Sequence, residues 1–313
     1  MKVFYIDFLK FIILTILIFF VLNKFQGFYN NEPSHYKLQY KEVFAPKAKT
    51  VGIIIGTSHH SHSIMPSLLD SSGIKFYNFS LNGSSPGFYL DWLQEILIKY
   101  HGVPTYCVVG IDWFMFDKNW VTRSFEQDAE YYPNDFFIKK LFGINEFDTY
   151  SLLVNRFPAI KFRSEILKSL QLQAGDSLYP IAEYDRGFIP FYLPYAPWSF
   201  KVPKKAAIFN SEVENFEKLI STFTRLKIKI VFVMSPEYGI SPSAYGKMKS
   251  LQIVEQISAK HKIKFLNFNT SLRSEINDST GNFSDWGHMN KKGSTLFSKK
   301  LCLALKKEIR KDF

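Results

Sequence analysis

The chain has 313 residues, of which 46% are hydrophobic and 21% are charged. This length suffices for one large α/β domain or two small ones, and the composition argues against intrinsic disorder. The formal net charge of +11 favours an acidic partner such as nucleic acid, anionic lipid or an anionic polymer. Because no zinc-finger spacing, RNP-type aromatic motif or basic arm is present, we do not expect nucleic-acid binding. Two cysteines cannot form a disulfide scaffold, so they do not indicate whether the protein lies inside or outside the cytoplasm.

An apolar segment at 3–22, interrupted by Asp7 and Lys10, opens the chain. About 20 apolar residues span a bilayer, and the early lysines suit a cytoplasmic end. A cleaved signal peptide is a competing interpretation, but 23–28 contains no small-x-small cleavage site. A buried core helix is a third interpretation. We therefore expect residues 1–24 to form a single transmembrane helix in the cell membrane, with the remainder outside the cytoplasm, in a bacterial periplasm or at the cell surface.

A polar connector is expected at 25–50, followed by a folded domain over 51–313 with an aromatic-rich insertion at about 112–210. On both sides of the insertion, apolar runs of strand length alternate with amphipathic segments of helix length. The predicted elements are strands at 51–55, 74–80, 105–111, 228–234 and 263–268, and helices at 86–100, 211–226, 243–261 and 292–307. Strands that alternate with helices imply a three-layer α/β/α sandwich around a parallel, doubly wound sheet.

Polar residues follow several of these strands directly. Ser58, Asn82-Gly83, Asp112 and Ser235-Pro236 follow the first four strands in turn. The loop Asp285-Trp286-Gly287-His288 comes further along the chain, after the last strand. Ligand and active sites of such sheets collect at the carboxyl ends of the strands, so we expect these loops to converge. A hydroxyl, an imidazole and a nearby carboxylate are the parts of an activated serine nucleophile, with the imidazole as the general base. The alternative is that Ser58 caps a helix and His288 is a surface histidine.

Four short segments resemble the conserved blocks of the SGNH/GDSL hydrolase superfamily. Gly56-Thr57-Ser58 is similar to the Gly-x-Ser nucleophile turn, with threonine where aspartate is usual, and 285–288 is similar to Asp-x-x-His. The segment 78–83 resembles the block in which a glycine amide faces the oxyanion. Gly110-Ile111-Asp112-Trp113 stands where Gly-x-Asn-Asp is usual. The asparagine of the family donates to the oxyanion, whereas an ionised Asp112 only accepts.

The resemblance implies a serine esterase or acyltransferase that works through an acyl-Ser58 intermediate. His288 would be the base and Asp285 would orient it, and the oxyanion would be held by the amides of Ser58 and Gly83 and by the Asn82 side chain. An anchor followed by an exported domain is similar to the envelope acyl-transfer branch, which includes alginate O-acetylation proteins and the D-alanyl transfer protein of teichoic acid. The expected function is therefore transfer of acetyl or a similar group to a cell-envelope glycan, or its removal.

Several partners and alternatives accompany this expectation. A multipass membrane acyltransferase is a candidate partner, and no cofactor is expected. One alternative is a plain esterase or lipase that acts on small or lipid esters. The other is a non-catalytic envelope glycan-binding protein, which the missing asparagine of the third block favours.

Four further residues, His59, Asp112, Arg186 and Trp286, are predicted to bind substrate. The histidines at 59, 60 and 62 suggest a metal site, but neighbouring histidines cannot both easily reach one ion, and no companion motif of matching spacing is present. We therefore expect no metal and expect one of these histidines to line the pocket beside the serine. Arg186 could bind a phosphate or a carboxylate of the substrate, or it could form an ion pair with a neighbouring acid such as Asp185.

Overall fold

The computed structural model describes residues 2–29, 38, 42, 52–81, 83–117, 183–192, 195 and 207–309. These residues belong to two compact units, one holding the N-terminal helix and the other holding every described residue from 38 onward. The predicted division at 24 and 50 stays a prediction. Most of the predicted insertion at 112–210 lies outside the described residues.

The N-terminal helix α1 spans Lys2–Tyr29 and has 28 residues. The carboxylate of Asp7 and the ammonium of Lys10, which interrupt its apolar sequence, lie 3.5 Å apart. Among the residues that the structure describes, no helix combines the length and the apolar character needed to cross a bilayer. The transmembrane helix expected at 1–24 is therefore not supported by the structure.

The second unit is built on a sheet of five strands within the described residues. The strands are β1 Gly52–Ile55, β2 Phe76–Asn78, β3 Tyr106–Gly110, β4 Lys229–Met234 and β5 Lys264–Asn267. Each strand runs parallel to its neighbour, in the order β2-β1-β3-β4-β5. The central strands consist of nearly continuous aliphatic residues because both faces of a parallel sheet are covered. The predicted α/β fold with a parallel sheet is confirmed.

Helices cover this sheet on both faces. The helices are α2 Ser58–Ser61, α3 Pro66–Leu69, α4 Pro86–Trp92, α5 Ile98–His101, α6 Asn210–Arg225, α7 Pro242–Tyr245, α8 Lys249–His261 and α9 Lys291–Ile309. Val233 and Phe297 belong to one buried cluster, which places α9 on one face of β4. Phe232 points to the other face, where its ring lies 5.4 Å from that of Phe216 in α6. The sheet and the helices on its two faces therefore form three layers.

Two predicted helices differ from those observed. The helix predicted at 86–100 starts at Pro86, with the Ser85 hydroxyl accepting from the Phe88 amide at 3.2 Å, but a wider turn at Leu93–Leu97 separates α4 from α5. The helix predicted at 243–261 is broken between α7 and α8, at 246–248. The break begins at Gly246, and glycine is a poor helix residue that makes such a break less costly.

The strand register brings the functional loops to one edge of the sheet. Ile55 of β1 pairs with Val109 of β3, and Gly110 pairs with Val233 of β4, so these strands end nearly level. The segments that follow them, together with the loop before α9, therefore meet above the carboxyl edge, as expected for a parallel sheet.

Candidate active site

The serine turn lies between β1 and α2. Thr57 is the residue that caps α2, with extended backbone angles and a hydroxyl that accepts from the His59 amide at 3.3 Å. Ser58 is the first residue of the helix, and its side chain is half-buried rather than occupied as a cap. The interpretation of Ser58 as a capping residue is therefore wrong, because its neighbour has that role.

Ser58 and His288, 230 residues apart in the chain, are in hydrogen-bonding contact, with 2.9 Å between Ser58 Oγ and His288 Nε2. On the other side of the ring, His288 Nδ1 lies 2.8 Å from Asp285 Oδ2 and 3.0 Å from Asp285 Oδ1. A ring nitrogen that faces a carboxylate carries the proton, which leaves Nε2 free to accept from the serine hydroxyl. The structure thus brings together the three residues that the sequence predicts as a serine nucleophile, its base and the residue that orients the base.

Asp285 is held as a carboxylate. Burial alone would raise its pKa, but hydrogen bonds from His288 and from the amides of Gly287 and His288 lower the pKa to about 2. Both amides donate to Oδ1 at 2.8 Å. The loop itself is tied back by the Ser284 amide, which donates to the His288 carbonyl at 2.8 Å. The backbone of its own loop therefore holds the carboxylate in place.

The segment predicted to hold the oxyanion folds over the serine turn. The Leu81 amide and the Ser84 hydroxyl both donate to the Gly56 carbonyl at 2.9 Å. Gly83 has a φ of +60°, a left-handed conformation that favours glycine. The amide of Ser58 stands at the first helical position, where no intrahelical acceptor exists. Both amides are thus placed near the turn, and their role as oxyanion donors stays a prediction; Asn82 lies outside the described residues.

Two residues predicted to bind substrate, His59 and Asp112, are instead paired with each other in the interior. They are 3% and 2% exposed, and His59 Nδ1 lies 2.9 Å from Asp112 Oδ1. The Thr57 hydroxyl donates to the other carboxylate oxygen at 2.7 Å. Although burial opposes ionisation, the neighbouring histidines and these hydrogen bonds lower the pKa of Asp112 to about 2. Thr57 and Asp112, which both differ from the blocks that the sequence resembles, are in direct contact.

The other two predicted substrate residues have different surroundings. Arg186 donates to both oxygens of Asp70 at 3.0 and 2.9 Å and to Asp185 at 3.3 Å. The ion-pair interpretation of Arg186 therefore describes the structure, and its guanidinium is occupied. Trp286 is half-buried beside the triad, with its ring 5.4 Å from the ring of His59.

Phe191 and Glu237 lie around the site and were not assigned a role from the sequence, and His62 is one of the three histidines of which one was expected to line the pocket. The Phe191 ring lies 5.5 Å from the ring of His288 and 4.0 Å from that of His62. His62 Nδ1 donates to the Ile189 carbonyl at 2.7 Å, and burial together with His288 lowers the pKa of His62 to about 3. Glu237 directly follows Ser235-Pro236 at the end of β4, so the rule that loops after parallel strands meet at one edge predicts its general position. No sequence signal indicates Phe191.

His59, Asp112 and Glu237 also have the spacing of metal ligands. One donor atom from each lies within 4.8 Å of the other two, and all three residues are buried. His59 Nδ1 lies 2.9 Å from the Asp112 carboxylate and 3.2 Å from that of Glu237. Hydrogen bonds from one imidazolium to two carboxylates account for this spacing without an ion.

No family model and no curated protein matches the chain. Solved structures with a similar fold include a GDSL-like lipase from Bacteroides thetaiotaomicron, at 11% identity over 87% of this chain and 98% of that one, with a TM-score of 0.41. An esterase from a Pseudoalteromonas species has 15% identity over 83% and 98%, with a TM-score of 0.38. A family two carbohydrate esterase from Clostridium thermocellum has 11% identity over 85% and 66%, with a TM-score of 0.41.

The three proteins are a GDSL-like lipase and two esterases, which is the type of activity that the resemblance in the sequence implies. Because the TM-scores are near 0.4, the likeness carries no argument for function, which has to be argued from the geometry of the site. Membership of the membrane-anchored acyl-transfer branch stays a prediction.

Proposed function

We propose that the chain is a serine enzyme that hydrolyses or transfers acyl groups through an acyl-Ser58 intermediate. The observation that carries the proposal is the hydrogen-bonded series Ser58–His288–Asp285, with distances of 2.9 and 2.8 Å. A serine hydroxyl is a weak nucleophile until a base takes its proton, and His288 Nε2 has the position and the tautomer for that role.

The reaction has two halves. Ser58 Oγ attacks the acyl carbonyl carbon while its proton passes to His288 Nε2, and the charged oxygen that forms accepts from nearby amides. His288 then gives the proton to the leaving oxygen, whose bond to the acyl carbon breaks. Water or a sugar hydroxyl resolves the acyl-Ser58 ester by the same steps in reverse, and Asp285 stabilises the imidazolium in both halves. Hydrolysis and transfer differ only in that second nucleophile.

We propose a cell-envelope glycan as the acyl acceptor or the ester substrate, as the resemblance to the envelope branch implies. Phe191 and Trp286, whose rings contact His288 and His59 respectively, provide apolar surfaces beside a few polar groups, the usual composition of a ligand site. Location outside the cytoplasm and partnership with a multipass acyltransferase belong to the same proposal.

Labelling with a serine-reactive fluorophosphonate tests the proposal. The wild type should be labelled and Ser58→Ala should not, whereas Ser67→Ala, which removes an exposed serine of the neighbouring helix α3, should label like the wild type. Equal labelling of wild type and Ser58→Ala, or of neither, would contradict the proposal.

A transfer assay tests the acceptor. With p-nitrophenyl acetate as donor and an unacetylated oligosaccharide as acceptor, transfer predicts acetylated oligosaccharide by mass spectrometry. Release of acetate alone at every acceptor concentration would favour the plain esterase.

A further inference from the structure

A buried polar cluster, formed by His59, Asp112, Glu237, Thr57 and Tyr245, lies next to the serine turn. His59 Nδ1 faces one oxygen of Asp112 at 2.9 Å and one oxygen of Glu237 at 3.2 Å. The second oxygen of each carboxylate accepts a hydrogen bond from a hydroxyl: Thr57 donates to Asp112 at 2.7 Å, and Tyr245 donates to Glu237 at 2.5 Å. The cluster therefore connects the turn after β1, the ends of β3 and β4, and helix α7, and each of its carboxylate oxygens has a partner.

The two carboxylates favour the protonated form of the imidazole at the centre of the cluster, while burial raises the pKa of one of them, Glu237. Burial alone would lower the pKa of His59, but Asp112 and Glu237 outweigh it and raise the pKa to about 10. Among the residues that the structure describes, His60 in the same helix, His62 directly after that helix, and His288 on the facing loop are further titratable groups near this ring. A buried cation that hydrogen-bonds two buried carboxylates is rigidly placed, since each group would be costly to leave unpaired.

The same ring supports the loop that carries the base. The rings of His59 and His288 are perpendicular, with centroids 4.9 Å apart. A side chain at Gly287 would place its Cβ 2.5 Å from His59 Nε2, so only glycine lets the loop lie this close to the imidazole. His59 also follows Ser58 directly in the chain. His59 therefore belongs to the helix that carries the nucleophile, and its ring contacts the loop that carries the base.

We infer that His59 is a positioning residue for the proposed reaction, holding the Asp285–His288 loop at hydrogen-bonding distance from Ser58 through its pairing with Asp112 and Glu237. The inference rests on the proposed function. Its physical basis is that a small displacement of a catalytic group has a large effect on rate, about 100-fold for 1 Å.

Three variants separate positioning from simple stabilisation. His59→Phe keeps a ring of similar size but leaves two buried carboxylates unpaired. The triple variant His59→Phe, Asp112→Asn, Glu237→Gln removes the charges as well, so it should recover the thermal stability that the single variant loses. The control is His261→Phe, which removes a histidine–carboxylate contact of 2.7 Å with Glu217 between α8 and α6. The assay is turnover of p-nitrophenyl acetate, with the melting temperature measured in parallel.

Positioning predicts that kcat falls about 100-fold in His59→Phe while KM changes by less than about threefold. The triple variant should melt near the wild-type temperature with kcat still low, and the control should keep wild-type kcat. If the triple variant regains both stability and kcat, His59 has only a structural role and the inference is overturned. Wild-type kcat in His59→Phe would also overturn the inference. If His59→Phe does not fold, the kcat of the triple variant decides between the two outcomes.

Failure of the positioning role can be told apart from failure of the proposed function and from a bound metal. A wild type that a fluorophosphonate does not label at Ser58 overturns the proposed function, and the inference with it, whereas a labelled wild type and fully active His59 variants overturn the inference alone. If a chelator abolishes the wild-type activity and Zn²⁺ restores it, the cluster holds a cation and the imidazolium role is overturned.

Discussion

Replacing Asp285 by asparagine should disable the base while leaving the loop folded. The asparagine oxygen can still accept from the Gly287 and His288 amides, which now donate to Oδ1 at 2.8 Å. The asparagine NH₂ would then face His288 Nδ1 and donate to it. The ring proton would move to Nε2, which points at Ser58, and His288 could no longer accept the serine proton.

The size of the effect follows from the interactions lost. The hydrogen bond from His288 Nδ1 to the Asp285 carboxylate, at 2.8 Å, is charge-assisted, and such a bond contributes about 1.5–3 kcal/mol. Reversal of the tautomer adds to this loss, and the same substitution in a serine protease triad lowers kcat about 10⁴-fold. We therefore expect kcat to fall about 10⁴-fold, equivalent to about 5 kcal/mol in the barrier.

The assay is steady-state hydrolysis of p-nitrophenyl acetate by the full chain. The matched control is Asp278→Asn, which removes an exposed carboxylate that pairs with Arg273 in the preceding loop and should keep wild-type kcat. An Asp285→Asn variant that keeps its fold and has kcat within about tenfold of the wild type would refute the reasoning, because a carboxylate would not be needed to set the tautomer.

Two predictions concern stability. Below pH 6.5, the ordinary pKa of histidine, the pairing of His59 contributes fully to the free energy of unfolding. As the pH rises from 6.5 to about 10, the folded state keeps a proton that the unfolded chain has released. The free energy of unfolding should therefore fall by up to about 1.4 kcal/mol per pH unit over this range. Urea titrations should show this slope in the wild type and not in the neutral triple variant, and an equal slope in both would contradict the charge assignment. Thr57→Val removes the cap of α2 and the hydroxyl bonded to Asp112, so chemical denaturation should show a loss of about 2–4 kcal/mol; a loss below about 0.5 kcal/mol would show that neither bond matters.

The sheet could be predicted from the sequence because its strands are short, continuous aliphatic runs. Each observed strand, such as Tyr106–Gly110, lies inside the predicted range and is one or more residues shorter. Helix continuity was harder to predict, because the break near Gly246 depends on how the chain packs before α8. The close approach of Ser58 and His288 followed from one rule, that loops after parallel strands meet at one edge.

The pairing beneath the site could not be predicted in the same way. Asp112 alone suggests a lost oxyanion donor, and Thr57 alone suggests an ordinary substitution. Their contact at 2.7 Å becomes visible only once β1 and β3 are paired in register. Glu237 is a similar case, since its position after β4 predicts that it lies at the carboxyl edge of the sheet but not that it pairs with a histidine from a distant turn.

Trapping the covalent intermediate tests the central claim most directly. The full chain is mixed with p-nitrophenyl acetate, quenched in acid during the first turnover, digested and analysed by mass spectrometry. The account predicts one acetyl group on the peptide that contains Ser58, and none on that peptide in Ser58→Ala. An acetyl group on a different residue during turnover, or steady turnover by Ser58→Ala at the wild-type rate, would contradict it.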